Sequence, residues 1–427
     1  MNRPTQVLHA VDQSPHPEGL TPPTGWDRRG LPGWTYHSPD WFDLERRGLF
    51  LTHWMLAGHV ADVASAGDWL TYDILGERAL ILRGRDGALR AFHNLCRHRG
   101  ARVVDGVQGT CRSALVCPFH GWVYNLDGTL RGPARPDSYD GMDRSAFGLK
   151  PIEMQVWHGF IFLRFHPGPQ PDVADWLSAY DADFTAYGAA GLEEATEGKD
   201  RLAPWSSELP VNWKSVRDVD NEGYHVPMAH PGLQELYGDD YQDLSLEGGL
   251  NISVGRFGGT PPRTWSVRNY ERLSPPQPHL PHRLQRAWTY YGIFPNAVIA
   301  FTPEGAQIYG ETPLTVRSTR VTGRNYRFAD ESRQARAARY LAMRIDRETS
   351  KEDQQLSIWS DESMASSAFD DFHLSDLEYG VRRHHDELRA ILPFLDRATA
   401  PAAAELDQWA EKALLTRPEL RSNQPVP

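Results

Sequence analysis

Cysteine is scarce: the 427 residues contain three. So small and odd a number cannot build a disulfide framework, and a reducing, cytoplasmic setting is expected. Long apolar runs are missing too. None approaches the roughly 18–20 residues that a membrane-spanning helix needs, and the opening stretch MNRPTQVLHAVDQ lacks the apolar centre of a signal peptide. There is no excess of positive charge. Lys and Arg number 45 against 56 Asp and Glu, a net charge of −11, which speaks against a nucleic-acid surface and for a soluble acidic protein. Internal repeats and low-complexity segments are absent as well.

What the sequence does contain is apolar and aromatic bulk: 40% hydrophobic residues and 14 tryptophans, enough for real cores. At roughly 100–200 residues per domain, the length implies two or three domains. Residues 1–31, rich in Pro and polar side chains, read as a flexible arm. Residues 32–166 read as an N-terminal segment followed by a small all-β domain. WLTYDIL, ALILRG and GFIFLRF are strand-like there, and Asp86-Gly87 and Asp127-Gly128 mark hairpin turns. The linker PGPQPDVADW opens the second domain, 167–427. Its spacing predicts a helix over 213–230, strands in WTYYGIF, AVIAF and PLTVRSTRV, and a long helix near 330–350. A further helix is opened by the capping box Ser375-x-x-Glu378. The fold class is therefore α+β: a small all-β domain ahead of an antiparallel sheet with covering helices.

Two Cys-His pairs, Cys96-x-His98 and Cys117-x-x-His120, stand in CRHRGARVVDGVQGTCRSALVCPFHGW. Residues two apart in an extended loop face the same side, so each pair can point at one centre. A structural zinc ion accepts two thiolates and two imidazoles. Zinc fingers, however, usually pair Cys with Cys and His with His. One of each per loop is what a [2Fe–2S] cluster requires when two Cys hold one iron and two His the other. The flanks NLCRHRGA and CPFHGWVYNLDG closely resemble the two cluster-binding loops of Rieske proteins. Cys111, between the pairs, reads as a bystander.

A second constellation lies in NWKSVRDVDNEGYHVPMAH, Asn212 to His230. His225 and His230, with a distant carboxylate, have the makings of a 2-His-1-carboxylate triad, which leaves positions on Fe(II) open for O2 and substrate. Alone, the H-x4-H pair is weak. Downstream of the cluster motif, Asn-Trp-Lys followed by Glu-x-Tyr-His-x4-His resembles the catalytic domain of Rieske non-heme iron oxygenase α subunits, over about residues 32–395.

That resemblance implies a helix-grip catalytic domain in which His225 and His230 ligate a mononuclear Fe(II). It places the third ligand at Asp353, with Glu352 and Asp361 as the neighbouring candidates. It also implies a head-to-tail homotrimer. Glu222 would be the carboxylate that bridges the cluster of one subunit, through His98 or His120, to the iron of the next. A glutamate there is reminiscent of the branch acting on carnitine, glycine betaine and proline betaine. The chain departs from that branch at Gly223 and Val226, where cysteines are usual, and at Val219, where Asn is usual. A methylammonium substrate would be held by aromatic faces through cation–π attraction, with Phe257, Trp265, Tyr291 and Tyr309 as candidates.

The implied activity is O2-dependent oxidation of a C–H bond, as N-demethylation or hydroxylation of an N-methyl compound. An aromatic ring hydroxylase or dioxygenase, or an O-demethylase, is the alternative. A Rieske electron carrier and a zinc-stabilised binding module are the readings from other classes. No GxGxxG follows a strand, and Cys111 alone cannot supply the four thiolates of a plant-type ferredoxin cluster. A separate NAD(P)H-dependent reductase is therefore implied.

Overall fold

The computed structural model describes residues 18–416 except 198–199, 202–203, 259–260, 393 and 396. Within residues 55–164 the strands form small antiparallel sheets. Leu89–His93, Glu77–Arg83, Asp68–Ile74 and Gln108–Thr110 make a four-stranded sheet in that order, and Leu115–Val116, Val123–Tyr124 and Leu130–Gly132 make a three-stranded one. Their shared core contains Leu80, Leu82, Trp122, Tyr124 and the two cysteines Cys96 and Cys117. The expected turns close on glycine: Gly87 and Gly128 have φ of 79° and 86°, a region that L side chains rarely adopt. A third sheet, Met55–His59, Phe160–Arg164 and Glu153–Trp157, joins this unit to the rest.

The second half is built on an eight-stranded antiparallel sheet. Its order is Glu193–Glu194, Ser318–Arg327, Gly305–Thr315, Ala297–Thr302, Ala287–Ile293, Asn251–Arg256 and Tyr241–Ser245, with Trp205–Leu209 also pairing with Ser318–Arg327. PLTVRSTRV spans the turn between two of these strands rather than forming one. Strand register divides the sheet into two faces. Tyr291, Ile299 and Ile308 pair in one row and enter the core with Phe160, Tyr180 and Phe184. Tyr290, Ala300 and Gln307 pair in the adjacent row and face the opposite way. Over that face runs one helix, Arg333–Met364, capped by Ser332, whose hydroxyl accepts from Ala335 N–H.

Two expectations are corrected. Residues 1–17 of the expected flexible arm lie outside the described residues, but residues 18–31 are fastened down. Leu20 N–H donates to Ser245 O, Arg28 bonds Leu374 O and Asp376, and Leu31 is fully buried. The arm is a strap, because its few apolar and charged side chains find partners far along the chain. The helix expected over 213–230 ends at Asp220, and only Val226–Ala229 makes a further turn of helix. A Cβ at Gly223 would lie 1.7 Å from the Tyr241 ring, so the chain there crosses an aromatic side chain supplied by a distant strand.

The segment before the first sheet packs against both halves, sharing one core with Ile74 and Ile81 of the small β domain and with residues of the second. Trp41, Leu44 and Phe50 share a core with Trp213, Leu388 and Leu392. Glu45 is buried and accepts from Trp41 Nε1 at 3.1 Å, Trp213 Nε1 at 3.0 Å and Lys214 Nζ at 2.6 Å. The Asn212-Trp213-Lys214 triplet is thus the socket that seats the start of the second constellation.

Candidate metal centres and substrate chamber

The two Cys-His loops have one backbone plan. Gly100 N–H donates to Cys96 O and Gly121 N–H to Cys117 O, and both glycines have positive φ, 75° and 68°. Each loop therefore turns back four residues after its cysteine. The thiols point inward and are buried, whereas His98 is partly exposed and His120 exposed. The imidazole rings meet edge to face at 4.6 Å, and His98 stacks on Trp122 at 5.2 Å. Tyr124 Oη lies 3.3 Å from Cys96 Sγ and accepts from Arg97 N–H at 2.9 Å. Burial pushes the Cys96 thiol up, with Tyr124 pulling the other way. Two sulfurs inside and two imidazoles toward the surface fit a cluster with one thiolate-held and one histidine-held iron. Cys111 stands apart from both loops, its N–H donating to Gly67 O.

The second centre is equally well defined. His225 Nε2 and His230 Nε2 are 3.0 Å apart, and Asp353 Oδ1 lies 2.8 Å from His230 Nε2 and 3.5 Å from His225 Nε2. Ligands about 2.1 Å from one ion and at right angles to each other would be about 3 Å apart. Among the described residues, no donor meets buried Asp353 Oδ1 in hydrogen-bonding geometry. Three lone-pair atoms thus converge with only a proton or a metal ion to reconcile them. Burial would lower the His225 pKa, yet the Asp353 and Glu222 carboxylates hold it up at about 10. Metal binding would displace that proton.

Both outer nitrogens are held by carboxylates. His225 Nδ1 lies 2.5 Å from Glu222 Oε1, and His225 N–H donates to Glu222 Oε2 at 3.1 Å. His230 Nδ1 lies 2.8 Å from Glu352 Oε2. Such contacts fix tautomer and ring direction, leaving Nε2 free to ligate. Of the neighbouring candidates for third ligand, Glu352 therefore sits behind a ring, not beside the metal position. Asp361 is also elsewhere: it accepts from Asn212 N–H, Ser215 Oγ and Arg317. Asp243, which sequence reasoning passed over, accepts from Gly223 N–H at 2.8 Å and so pins the peptide next to Glu222.

Beside Asp353 lies a chamber of about 120 Å³ lined by Trp205, Tyr237, Tyr241, Tyr290 and Tyr309. Of the expected aromatics, only Tyr309 lines it. Tyr291 is on the opposite sheet face and donates to Asp183. Phe257 packs on Tyr270 under Arg286, and Trp265 is exposed on the helix Trp265–Leu273. Tyr290, the strand neighbour of Tyr291, lines the chamber instead, and strand alternation is the signal that distinguishes the two. Trp205 enters because its partner in register is Gly323, where a Cβ would meet the indole at 2.3 Å.

The chamber is rich in acid. Asp220, Glu311 and Asp346 line it, and the buried guanidinium of Arg217 pairs with the first two. Tyr309 Oη donates to Asp220 at 2.8 Å. Burial pushes Asp346 up to about 6 and also raises Glu311, the latter against the pull of Arg217.

Comparison with known proteins agrees with this plan. Residues 53–140 match the Rieske [2Fe-2S] domain, and residues 197–393 match the ring hydroxylating alpha subunit (catalytic domain). The carnitine monooxygenase oxygenase subunit of Escherichia coli K12 is 29% identical over 227 residues, 53% of this chain and 58% of that protein. The glycine betaine monooxygenase oxygenase subunit of Chromohalobacter salexigens is 34% identical over 203 residues, 48% of this chain and 43% of that protein. The chain thus spans about half the length of the curated relatives it matches. In fold it is similar to a quaternary ammonium Rieske monooxygenase, with a TM-score of 0.71 and 22% identity over 85% of this chain and 94% of that one. It is also similar to naphthalene 1,2-dioxygenase, with a TM-score of 0.69 and 20% identity over 93% and 97%. No described helix is long and apolar enough to cross a membrane. The two domain matches fall, in order, on the stretches that build the two centres, and the chain belongs to the α subunits of the Rieske non-heme iron oxygenases.

Proposed function

We propose that this chain is a terminal oxygenase that oxidises an N-methyl group of a quaternary ammonium or N-methyl compound, drawing electrons from a separate NAD(P)H-dependent reductase. The observation that carries the reading is the chamber: tyrosine faces and three carboxyls beside the His225/His230/Asp353 centre. A cation desolvated among aromatic faces gains about 2 kcal/mol or more. The similarity to carnitine and glycine betaine monooxygenase oxygenase subunits supports the same substrate class.

Cys96, His98, Cys117 and His120 would hold the cluster, and His225, His230 and Asp353 the iron. When bound, these groups supply electron transfer and O2 activation. The protein's own contribution is orientation. Glu222 and Glu352 hold the two histidine rings, and Asp243 holds the peptide that carries Glu222. The tyrosine wall excludes water and turns the methyl group toward the metal position. In the head-to-tail homotrimer of our reading, Glu222 also links the His225 ring to a cluster histidine of the neighbouring copy. Insertion of one oxygen atom into the N-methyl C–H bond gives a hemiaminal, which collapses to formaldehyde and the demethylated amine. The other oxygen atom leaves as water, with two electrons from the reductase.

The test is a single turnover. The iron-loaded protein is reduced anaerobically, given one compound from a panel of betaines, carnitine, choline and aromatic acids, and then exposed to O2. Formaldehyde and an amine fragment are expected from N-methyl compounds alone. Hydroxylated aromatics instead would overturn the substrate class.

A further inference from the structure

The helix that carries Asp353 also borders a second cavity. This outer cleft, of about 1110 Å³, meets the chamber at Trp205, Gln307, Asp346, Ser350 and Gln354, which line both. Its helical wall is basic. Arg333, Arg336, Arg344 and Arg347 recur three, four or seven positions apart around Tyr340, the spacing of one helix stripe. Arg336 pairs with Glu331, but Arg333, Arg344 and Arg347 form no ion pair among the described residues. Tyr340 and Trp265 stand at the rim, 62% and 60% exposed. A solvated helix face would explain the charges alone. It does not explain unpaired arginines in an acidic protein, set beside exposed aromatics in a cleft that opens on the chamber.

The geometry points to a second subsite for the same substrate: the N-methyl ammonium head fills the tyrosine chamber, and Arg347 and Arg344 hold an anionic group at the far end of a chain. This rests on the proposed oxygenase reading and adds a length to it. At 1.5 Å per residue, Arg347 and Arg344 lie about 9 Å and 14 Å along the helix from Asp353. A betaine whose carboxylate sits on the carbon beside the nitrogen is too short to use both subsites. The substrate is therefore a long zwitterion, ending in a carboxylate or phosphate that the planar guanidinium grips with two hydrogen bonds.

Calorimetric titration of the iron-loaded protein tests this without turnover. The probes are two series of rising chain length, ω-trimethylammonio alkanoates and the corresponding alkyl phosphates; comparing them identifies the anion. Affinity should rise at least tenfold once the chain reaches Arg347. That gain should vanish in R344E/R347E and shrink with salt. R85E/R112E, a charge-matched pair of changes in the small β domain, should keep it, and thermal melts of each variant establish that the fold persists. Affinity that is flat with chain length, or a gain that R344E/R347E retains, overturns the inference. Length-dependent, arginine-dependent binding with no product on adding O2 would instead remove the oxygenase reading and leave the subsite. Turnover of short betaines without a length effect would do the reverse.

Discussion

Glu222 and Glu352 make the same contact to different histidines, and the difference in their surroundings predicts a difference in effect. The Glu222 side chain is 10% exposed and lies 2.5 Å from His225 Nδ1, whereas Glu352 is 39% exposed at 2.8 Å from His230 Nδ1. Removing a carboxylate that orients a metal-ligating histidine costs about 10–100-fold in metal affinity or activity. Water screens Glu352 and can replace its hydrogen bond, so E352Q should fall near tenfold. E222Q removes a charge from a drier site and should fall near a hundredfold, a further 1.4 kcal/mol or so. Iron affinity is read by competition with a chromophoric chelator. Product per bound iron is then read in the single-turnover assay, which separates loss of metal from loss of electron transfer. E352Q, once loaded, should form product normally, while loaded E222Q should not, because Glu222 is also the proposed link to the neighbouring cluster. Equal affinity losses, or full product per iron in E222Q, would refute the reasoning.

The sheet faces can be tested by neighbours on one strand. Y290L should raise KM for an ammonium substrate by roughly 5–30-fold, the loss of about 1–2 kcal/mol of cation–π attraction, while Y291L should leave KM alone and lower the melting temperature. K214M strands the buried Glu45 carboxylate and should cost about 3–5 kcal/mol in urea denaturation, most of it recovered in E45Q/K214M. Burial pushes Glu304 up from 4.5 to about 7, so the folded state binds its proton more tightly than the unfolded chain does. Its contribution is full below about pH 4.5 and is lost as pH rises to about 7. E304Q should therefore flatten the fall in stability across that window, and an unchanged pH profile would count against the assignment.

What the sequence revealed was whatever depends on near neighbours. The Cys96/His98 and Cys117/His120 loops are legible because each is closed by a hydrogen bond four residues long, and the strands Asp68–Ile74 and Glu77–Arg83 because the turn between them is local. What stayed hidden depends on partners far away. The break after Asp220 is set by the Tyr241 ring beneath Gly223, and no property of residues 213–230 announces it. The strap at residues 18–31 is held by Ser245, Leu374 and Asp376. Glu352 and Asp353 are adjacent acids on one helix, and only the rotation of that helix separates the contact to an outer nitrogen from the contact to Nε2. Tyr290 and Tyr291 are the same case in a strand: composition named the residue type, and one step in register chose the wrong ring.

That step in register also limits how the chamber can be altered. Strand Ala287–Ile293 shows alternate side chains to the chamber and to the core behind the sheet. Inserting or deleting one residue there would exchange every side chain between the two faces, carrying Tyr291 forward and sending Tyr290 into a core already filled by Phe184 and Phe301. Substrate preference in such a wall is open to change by point replacement at every second position and closed to change in length. Sequence drift among proteins built this way should accordingly leave the strand lengths fixed while the inward rings vary.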